Sequence, residues 1–482
     1  MDTEAQKQPV EGQQAQEQEA VDVINTPAAE VMENQGTVVA KENLFNSVLK
    51  NKKYLLLIIG GVVALFAVFL FAVLFSGRVS KGPVEITWWG LWEDDTIVRP
   101  IISEYEANNP NVKINYVKQS KEDYRQRLVN SLIKGDGPDI FRFHNSWLPM
   151  LKSELEELPN SVFTNQDFAE SFYPVMVSDL QQGSNFYGLP LEYDGLALYI
   201  NEEIFEKSGK DYPTTWNDLR QTARELTIKD DKNTVVQSGV ALGRTENIDH
   251  WPEILALMLL QNQSNMINLS DRLSQDGLIF FTLFSSEDGV WDATLPNSTV
   301  YFASGKLAMY FGPSWRAFEI RAQNPNLRFK TIPVPQLPKT AANEPDVNYA
   351  SYWVEGVSAR SKNKDESWKF LKYISNNENL ESFYTNASKF RMFGEPYPKL
   401  SMAGKINNHP IIGSIIQGAP TAQTSYLHSR TWDGVTGINS QMTKYFEDAI
   451  NAINKGEQID DVTETLSAGV VQVLSQYGIR VQ

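Results

Sequence analysis

The chain has 482 residues, 42% hydrophobic and 11% aromatic, which can bury a large core and exceeds what one core usually holds, so at least two lobes are expected. Its net charge of −16 argues against nucleic acid as a partner, because displacing counterions from a phosphate backbone needs Lys and Arg patches. There is no cysteine, which excludes disulfides, thiolate metal sites, cysteine nucleophiles and a lipid-modified N-terminal cysteine.

Residues 1–50 are rich in Gln, Glu and Ala and lack a sustained apolar period, so a disordered cytoplasmic tail is expected there. Residues 51–77 read as a transmembrane anchor helix. Tyr54 to Phe75 contains no charged, Asn, Gln or Pro residue across 22 positions. At 1.5 Å per residue such a helix reaches about 33 Å, enough for a hydrocarbon core of about 30 Å. A buried core helix would be shorter and one-sided. A secretory signal would have a shorter apolar core, a small-residue cleavage site and fewer preceding residues. Lys50, Lys52 and Lys53 before the span outweigh Arg78 and Lys81 after it, so the N-terminus is expected in the cytoplasm. The roughly 400 residues that follow are then extracellular, on a single-pass membrane protein.

Beyond a short linker, Val84–Trp89 reads as a strand, Pro100–Asn108 as a helix with Pro100 in its first turn, and Val112–Val117 as a strand. Tyr124–Lys134 is an amphipathic helix closed by Gly135, and Asp139–Phe143 the next strand. This βαβαβ pattern predicts a parallel sheet covered on both faces, with ligands collecting at the carboxyl ends of its strands. A second α/β region follows. Trp216–Leu226 is a helix entered through Pro213-Thr214-Thr215, Val235–Leu242 a strand, and Trp251–Leu260 an apolar helix opened by Asp249. Lys306–Phe311 reads as a strand ending in Gly312-Pro313-Ser314-Trp315, and Arg328–Pro335 and Ser351–Ala359 as further strands. Helices are expected over Glu366–Ile374, Asn379–Tyr384, Ser440–Ile453 and Val462–Ser475. Ser264–Asn297 gives no clear pattern.

Catalytic and cofactor signatures are absent. Gly305-Lys306 lacks the upstream glycine of a P-loop, and no G-x-G-x-x-G follows a strand. There is no H-E-x-x-H and no G-x-S-x-G. His144, His250, His409 and His428 lack metal-ligand spacing and read as surface or hydrogen-bonded residues. Asp230-Asp231-Lys232-Asn233 reads as a solvated turn. No cofactor and no metal are expected. Glu192 and Asp194 are the kind of carboxylate pair a glycosidase uses, though acids are common.

Six strings occur in order: Ile86-Thr87-Trp88-Trp89-Gly90; Gly135-Asp136-Gly137-Pro138-Asp139-Ile140; Tyr187-Gly188-Leu189-Pro190 continuing from Glu192 to Asn201; Pro213-Thr214-Thr215-Trp216; Gly305-Lys306-Leu307-Ala308-Met309; and Gly312-Pro313-Ser314-Trp315. Over about residues 84–478 the chain resembles the extracellular solute-binding proteins of ABC importers, in the carbohydrate-binding family that includes maltose-binding protein. That family often uses a cleaved signal or a lipidated cysteine, and this chain shows neither.

The resemblance implies a two-lobed α/β, periplasmic-binding-protein-like (Venus-flytrap) fold after the anchor helix. Its first lobe would comprise residues 82–195 plus 355–397, and its second 196–354 plus 398–482. Crossings are implied near Tyr193–Leu198, Ser351–Val357 and Phe393–Leu400. The implied function is capture of a mono- or oligosaccharide between the lobes and delivery to the permease subunits of an ABC importer, without enzymatic activity. The alternatives are an extracellular glycoside-processing enzyme or a sugar-sensing receptor domain. Pyranose rings stack on indoles while their hydroxyls seek Asp, Glu and Asn. Matching positions give Phe143, Asp194, Trp251, Trp315 and Trp432 as ligand-binding residues, with Trp92, Glu93, Asn145 and Trp353 as looser candidates. Trp88, Trp216 and Trp368 are expected in the core.

Overall fold

The computed structural model describes residues 52–76, 83–339, 341 and 343–479. The chain divides into two compact units, Met1–Lys81 and Gly82–Gln482. In the first, Lys52–Ser76 is one α-helix of 25 residues. Its large side chains between Leu56 and Leu70 are exposed, Leu57 at 70% and Phe66 at 62%. Among the described residues no helix is long and apolar enough to cross a membrane; side chains within this helix are described without a break only from Leu56 to Leu70. The expected tail at 1–50 and most of the linker after the helix lie outside the described residues.

The second unit is built on two five-stranded sheets. Val84–Gly90 has alternating burial with Ile86 and Trp88 inward, and pairs in parallel with Val112–Lys118 on one side and Ile140–His144 on the other. Trp353–Val357 then adds antiparallel to Ile140–His144, and Leu189–Pro190 forms the far edge. The second sheet runs in the order Phe329–Ile332, Ala197–Asn201, Leu307–Gly312, Val235–Val240, Ile228–Lys229. Its Val235–Val240 and Leu307–Gly312 strands are parallel. Ile140–His144, Ala197–Asn201 and Leu307–Gly312 are buried at every position, as expected of strands covered on both faces.

The chain passes from the first sheet to the second between Pro190 and Ala197 and returns between Ile332 and Trp353. Trp353–Val357 lies wholly in the first sheet, so this passage falls before Trp353 and not at the expected 354–355 boundary. At the first passage a Cβ on Gly195 would lie 2.4 Å from the Tyr349 carbonyl oxygen, so glycine is what allows the two crossing segments to touch. The segment after the helix Asn377–Ser388 runs alongside them, with Tyr193 N–H donating to the Pro396 carbonyl at 2.9 Å.

Local signals placed most helices. Thr215 caps Trp216–Leu226 by accepting from Asp218 N–H, and Gly135 ends Tyr124–Lys134 with φ +82°. Two expectations need correction, and the stretch without a clear pattern proves to hold a helix. The first helix spans Asp95–Asn108, with Pro100 in its interior. Ile97 and Val98 share the buried face of Ile101, Ile102 and Tyr105, and that burial outweighs the single backbone hydrogen bond Pro100 removes. Arg272–Ser286, in the unread stretch, is a helix capped by Asp271 and buried through Leu278, Phe281 and Phe284. Trp251–Gln261 opens at His250, because the Asp249 carboxylate is committed elsewhere. Trp88, Trp216 and Trp368 are at most 3% exposed, as expected of core residues.

Candidate functional site

The carboxyl ends of the parallel strands in the first sheet carry an aromatic cluster. Trp92 follows Val84–Gly90, His144 ends Ile140–His144, and Trp353 is the register partner of His144. The Trp353 ring lies edge-on to Trp92 at 5.6 Å, to His144 at 5.2 Å and to Trp147 at 5.2 Å. Trp147 is buried and fixes the cluster from below, while Trp92 is 36% exposed and Trp353 half-buried. A stepped indole surface with a solid floor results.

The carboxyl ends of the parallel strands in the second sheet carry a charged counterpart. Trp315, 37% exposed, sits in the turn after Leu307–Gly312. The Arg316 guanidinium stacks on its ring at 4.5 Å, and His250 lies edge-on at 5.7 Å. One face of the indole is therefore braced. Arg316 Nε donates to His250 Nε2 at 2.8 Å, so His250 carries its proton on Nδ1 and donates it to Ser429 Oγ at 3.0 Å. Ser429 in turn donates to Glu253 through N–H and Oγ at 2.7 and 2.9 Å. Asp249 pairs with Arg316 at 3.1 Å and with Arg430, and accepts from Thr299 Oγ1 at 2.5 Å. Burial pulls the Asp249 carboxyl upward, but Arg316 and Thr299 outweigh it and hold the group well below the usual carboxylate range.

Two features join these clusters. Asp194, half-buried at the first passage between sheets, accepts from Gly195 N–H at 2.8 Å, Ser314 N–H at 3.1 Å and Ser314 Oγ at 2.9 Å. Its carbonyl accepts from Ser351 N–H at 3.0 Å, and Ser351 Oγ reaches His144 Nε2 at 3.1 Å. The second feature is the strap 424–433: Thr424 meets Asn145, His428 lies 4.6 Å from the His144 ring, Ser429 and Arg430 reach the charged group, and Trp432 Nε1 donates to Asp123 at 3.2 Å. Trp432 is 53% exposed.

Of the expected ligand residues, Trp92 and Trp353 belong to the first cluster, Trp315 to the second, Asp194 to the link between them and Trp432 to the strap. Phe143 belongs to none of these: it is fully buried against Gly188 and Gly356, on the face of the strand opposite to its neighbour His144, which packs under the Trp353 ring. Trp251 is 6% exposed and belongs to the helix core. Glu93 is 1% exposed and paired with Arg142. Asn145 is 2% exposed; it donates to Asp179 at 2.8 Å and Thr424 at 3.1 Å, and so positions the strap. His144, His250 and His428 are hydrogen-bonded residues, as expected of histidines without metal-ligand spacing, while no local pattern marks Arg316. His144 ends a strand, and His250 and Arg316 stand at helix starts, the one signal available; His428 lies in a long loop without it. A separate hollow lined by Asn201, Lys207, Glu225 and Asn326 lies at the opposite end of the second sheet and shares no residue with this region.

Asp179 accepts from Tyr352 Oη and Asn145 Nδ2, both at 2.8 Å, yet burial raises its carboxyl to about 7. A carboxyl raised in the fold stabilises it at low pH, and that contribution is lost as pH rises from about 4 through about 7. The parent should therefore lose stability relative to Asp179→Asn across this window, by roughly 4 kcal/mol at most given about 1.4 kcal/mol per unit. Urea denaturation of both proteins at pH 4, 6 and 8 reads the difference, and a constant gap would contradict it.

Residues 90–381 match the family model described as bacterial extracellular solute-binding protein. A putative binding protein of Brucella abortus is 24% identical over 282 residues, 56% of this chain and 66% of its own length. The multiple sugar-binding protein of Streptococcus mutans is 23% identical over 309 residues, 61% of this chain and 71% of its own. The sugar-binding protein MalE of Xanthomonas citri superposes with a TM-score of 0.65 at 17% identity, covering 82% of this chain and 98% of that one. That similarity extends the two-lobed architecture to the whole second unit.

Proposed function

The chain belongs to the bacterial extracellular solute-binding proteins, and on that premise we propose that its second unit captures a carbohydrate between two lobes and hands it to the permease of an ABC importer. The observation that carries this reading is the pair of exposed indole surfaces, Trp92 with Trp353 and Trp315, at the carboxyl ends of the two sheets. Sugars offer apolar faces to such rings and hydroxyls to the surrounding acids, amides and guanidinium groups. The names of the Streptococcus and Xanthomonas proteins point to the same ligand class. Trp92, Trp353, Trp315, Trp432 and Asp194 are the residues placed against the sugar. The lobes are 82–195 plus the stretch from Trp353 to about residue 397, and the remainder of the unit. Closure about the crossing segments follows ligand entry.

Binding, not glycoside hydrolysis, suits the acids present. Glu192 is buried, so Asp194 has no second open carboxylate beside it with which to flank a glycosidic bond. A thermal-shift series over mono- and oligosaccharides tests the reading. A ligand at 100 times its dissociation constant adds about 2.7 kcal/mol if it binds only the folded form. No stabilisation by any carbohydrate would count against it.

The helix Lys52–Ser76 is the proposed membrane anchor, supported by its 25-residue length and the uninterrupted apolar sequence from Tyr54 to Phe75. Protease added to intact cells is expected to release the large unit and spare the tail. A mature protein beginning near Gly77 would rule the anchor out.

A further inference from the structure

We propose that Glu93, Glu192 and Glu395 form a site for one hard divalent cation of the calcium class, fastening the segments that join the two sheets. The three residues come from separate stretches: the turn after the first strand, the first passage between sheets, and the segment after the helix Asn377–Ser388. One carboxylate oxygen from each lies within 4.8 Å of the others, twice a calcium–oxygen distance of about 2.4 Å.

The second observation is an orphaned atom. Glu93 is 1% exposed, its Oε2 takes Arg142 Nη1 at 2.7 Å, and its Oε1 has no hydrogen-bond partner. The group it faces is the Glu395 carboxylate, an acceptor like itself, and Glu192 faces Glu395 in the same way. Buried carboxylates that meet in this way need a positive charge between them, supplied either by shared protons or by a cation.

The surrounding charges leave room for such an ion. Arg142 bridges Glu93 and Glu355, and Arg391 pairs with Glu395 at 2.5 Å. When all four carboxylates are ionised they exceed the two guanidinium groups by two negative charges, the charge of one divalent cation. Asp194 also faces Glu395 but is already satisfied by Ser314 and Gly195. The donor set is oxygen only, which selects a hard cation, and each carboxylate offers it one oxygen, with water completing the shell. The Glu395 side chain keeps 17% exposure, which gives the ion a way in and a place for water ligands. Glu192 stands two residues before Asp194, and Tyr193 N–H ties this segment to Pro396 beside Glu395. An occupied site would therefore stiffen the crossing segments next to the ligand region. None of this depends on the ligand being a sugar.

The test uses the full chain in detergent, stripped with EDTA and exchanged into chelator-free buffer at pH 7.5. Titration with calcium chloride should show one ion per chain and a saturable rise in melting temperature. Terbium should luminesce on tyrosine or tryptophan excitation and be displaced by calcium. Glu395→Gln, at the rim and outside the Arg142 pairs, should fold normally and weaken calcium binding at least tenfold. Two results would overturn the proposal. One is a melting temperature indifferent to calcium and EDTA but rising as pH falls from 8 to 5, which assigns the neutralising charge to protons. The other is calcium uptake that Glu395→Gln leaves unchanged.

Discussion

Arg142→Met is expected to cost about 3–5 kcal/mol of folding stability at pH 8, the usual effect of removing one partner from a buried ionic set. Arg142 is 1% exposed on a strand buried at every position, where no water can replace it. Its Nη1 and Nε reach Glu93 and Glu355, both at 2.7 Å, and Glu355 also accepts from Trp88 Nε1 at 3.0 Å. Methionine fills much of the volume but leaves two buried carboxylates without their cation. In metal-free protein Glu93 then escapes by taking up a proton. Burial already outweighs Arg142 at Glu93 and raises its carboxyl to about 7. Without the guanidinium the Glu93 carboxyl moves further up, so the variant binds a proton on folding and loses stability as pH rises. Urea denaturation should therefore show a smaller deficit at pH 5 than at pH 8. A variant within 1 kcal/mol of the parent at pH 8, an order-of-magnitude threshold, would show that the network contributes little.

Trp315→Ala is expected to weaken carbohydrate binding by about 2 kcal/mol or more, roughly thirtyfold, while leaving the fold intact. The indole is 37% exposed in a turn after a buried strand, and Arg316 and His250 hold its inner face and edge. The support persists when the ring is removed, so the loss falls on the ligand. Trp88→Ala provides the contrast. That side chain is fully buried, edge-on to Tyr116 at 4.8 Å and Phe370 at 5.7 Å, and its loss should cost about 3–5 kcal/mol of stability. Paired titration and denaturation separate the two outcomes. Full affinity in Trp315→Ala would remove this residue from the ligand site.

The sheets were legible because their signals are local. Val84–Gly90 and Val112–Lys118 alternate β-branched or aromatic residues with polar ones, and Thr215 and Gly135 mark helix ends with side-chain and backbone chemistry. The exposed tryptophans were legible through position, since Trp92 and Trp315 follow strands directly. What escaped depends on contacts distant in sequence. His144 meets His428 across 283 intervening positions, and Glu93, Glu192 and Glu395 assemble from three segments. Phe143 and His144 differ by one residue, and only the observed register shows that His144 is the one that packs under the Trp353 ring. Pro100 misled for a related reason: a local breaker was outvoted by the burial of Ile97 and Val98.

Calorimetric titration of the unit from residue 82 onward with a panel of mono- and oligosaccharides, on the parent and on Trp315→Ala and Trp353→Ala, tests the central claim most directly. The expected result is saturable one-to-one binding of at least one carbohydrate by the parent, weakened about tenfold or more in each variant. No binding by the parent across the panel, or undiminished affinity in both variants, would contradict it.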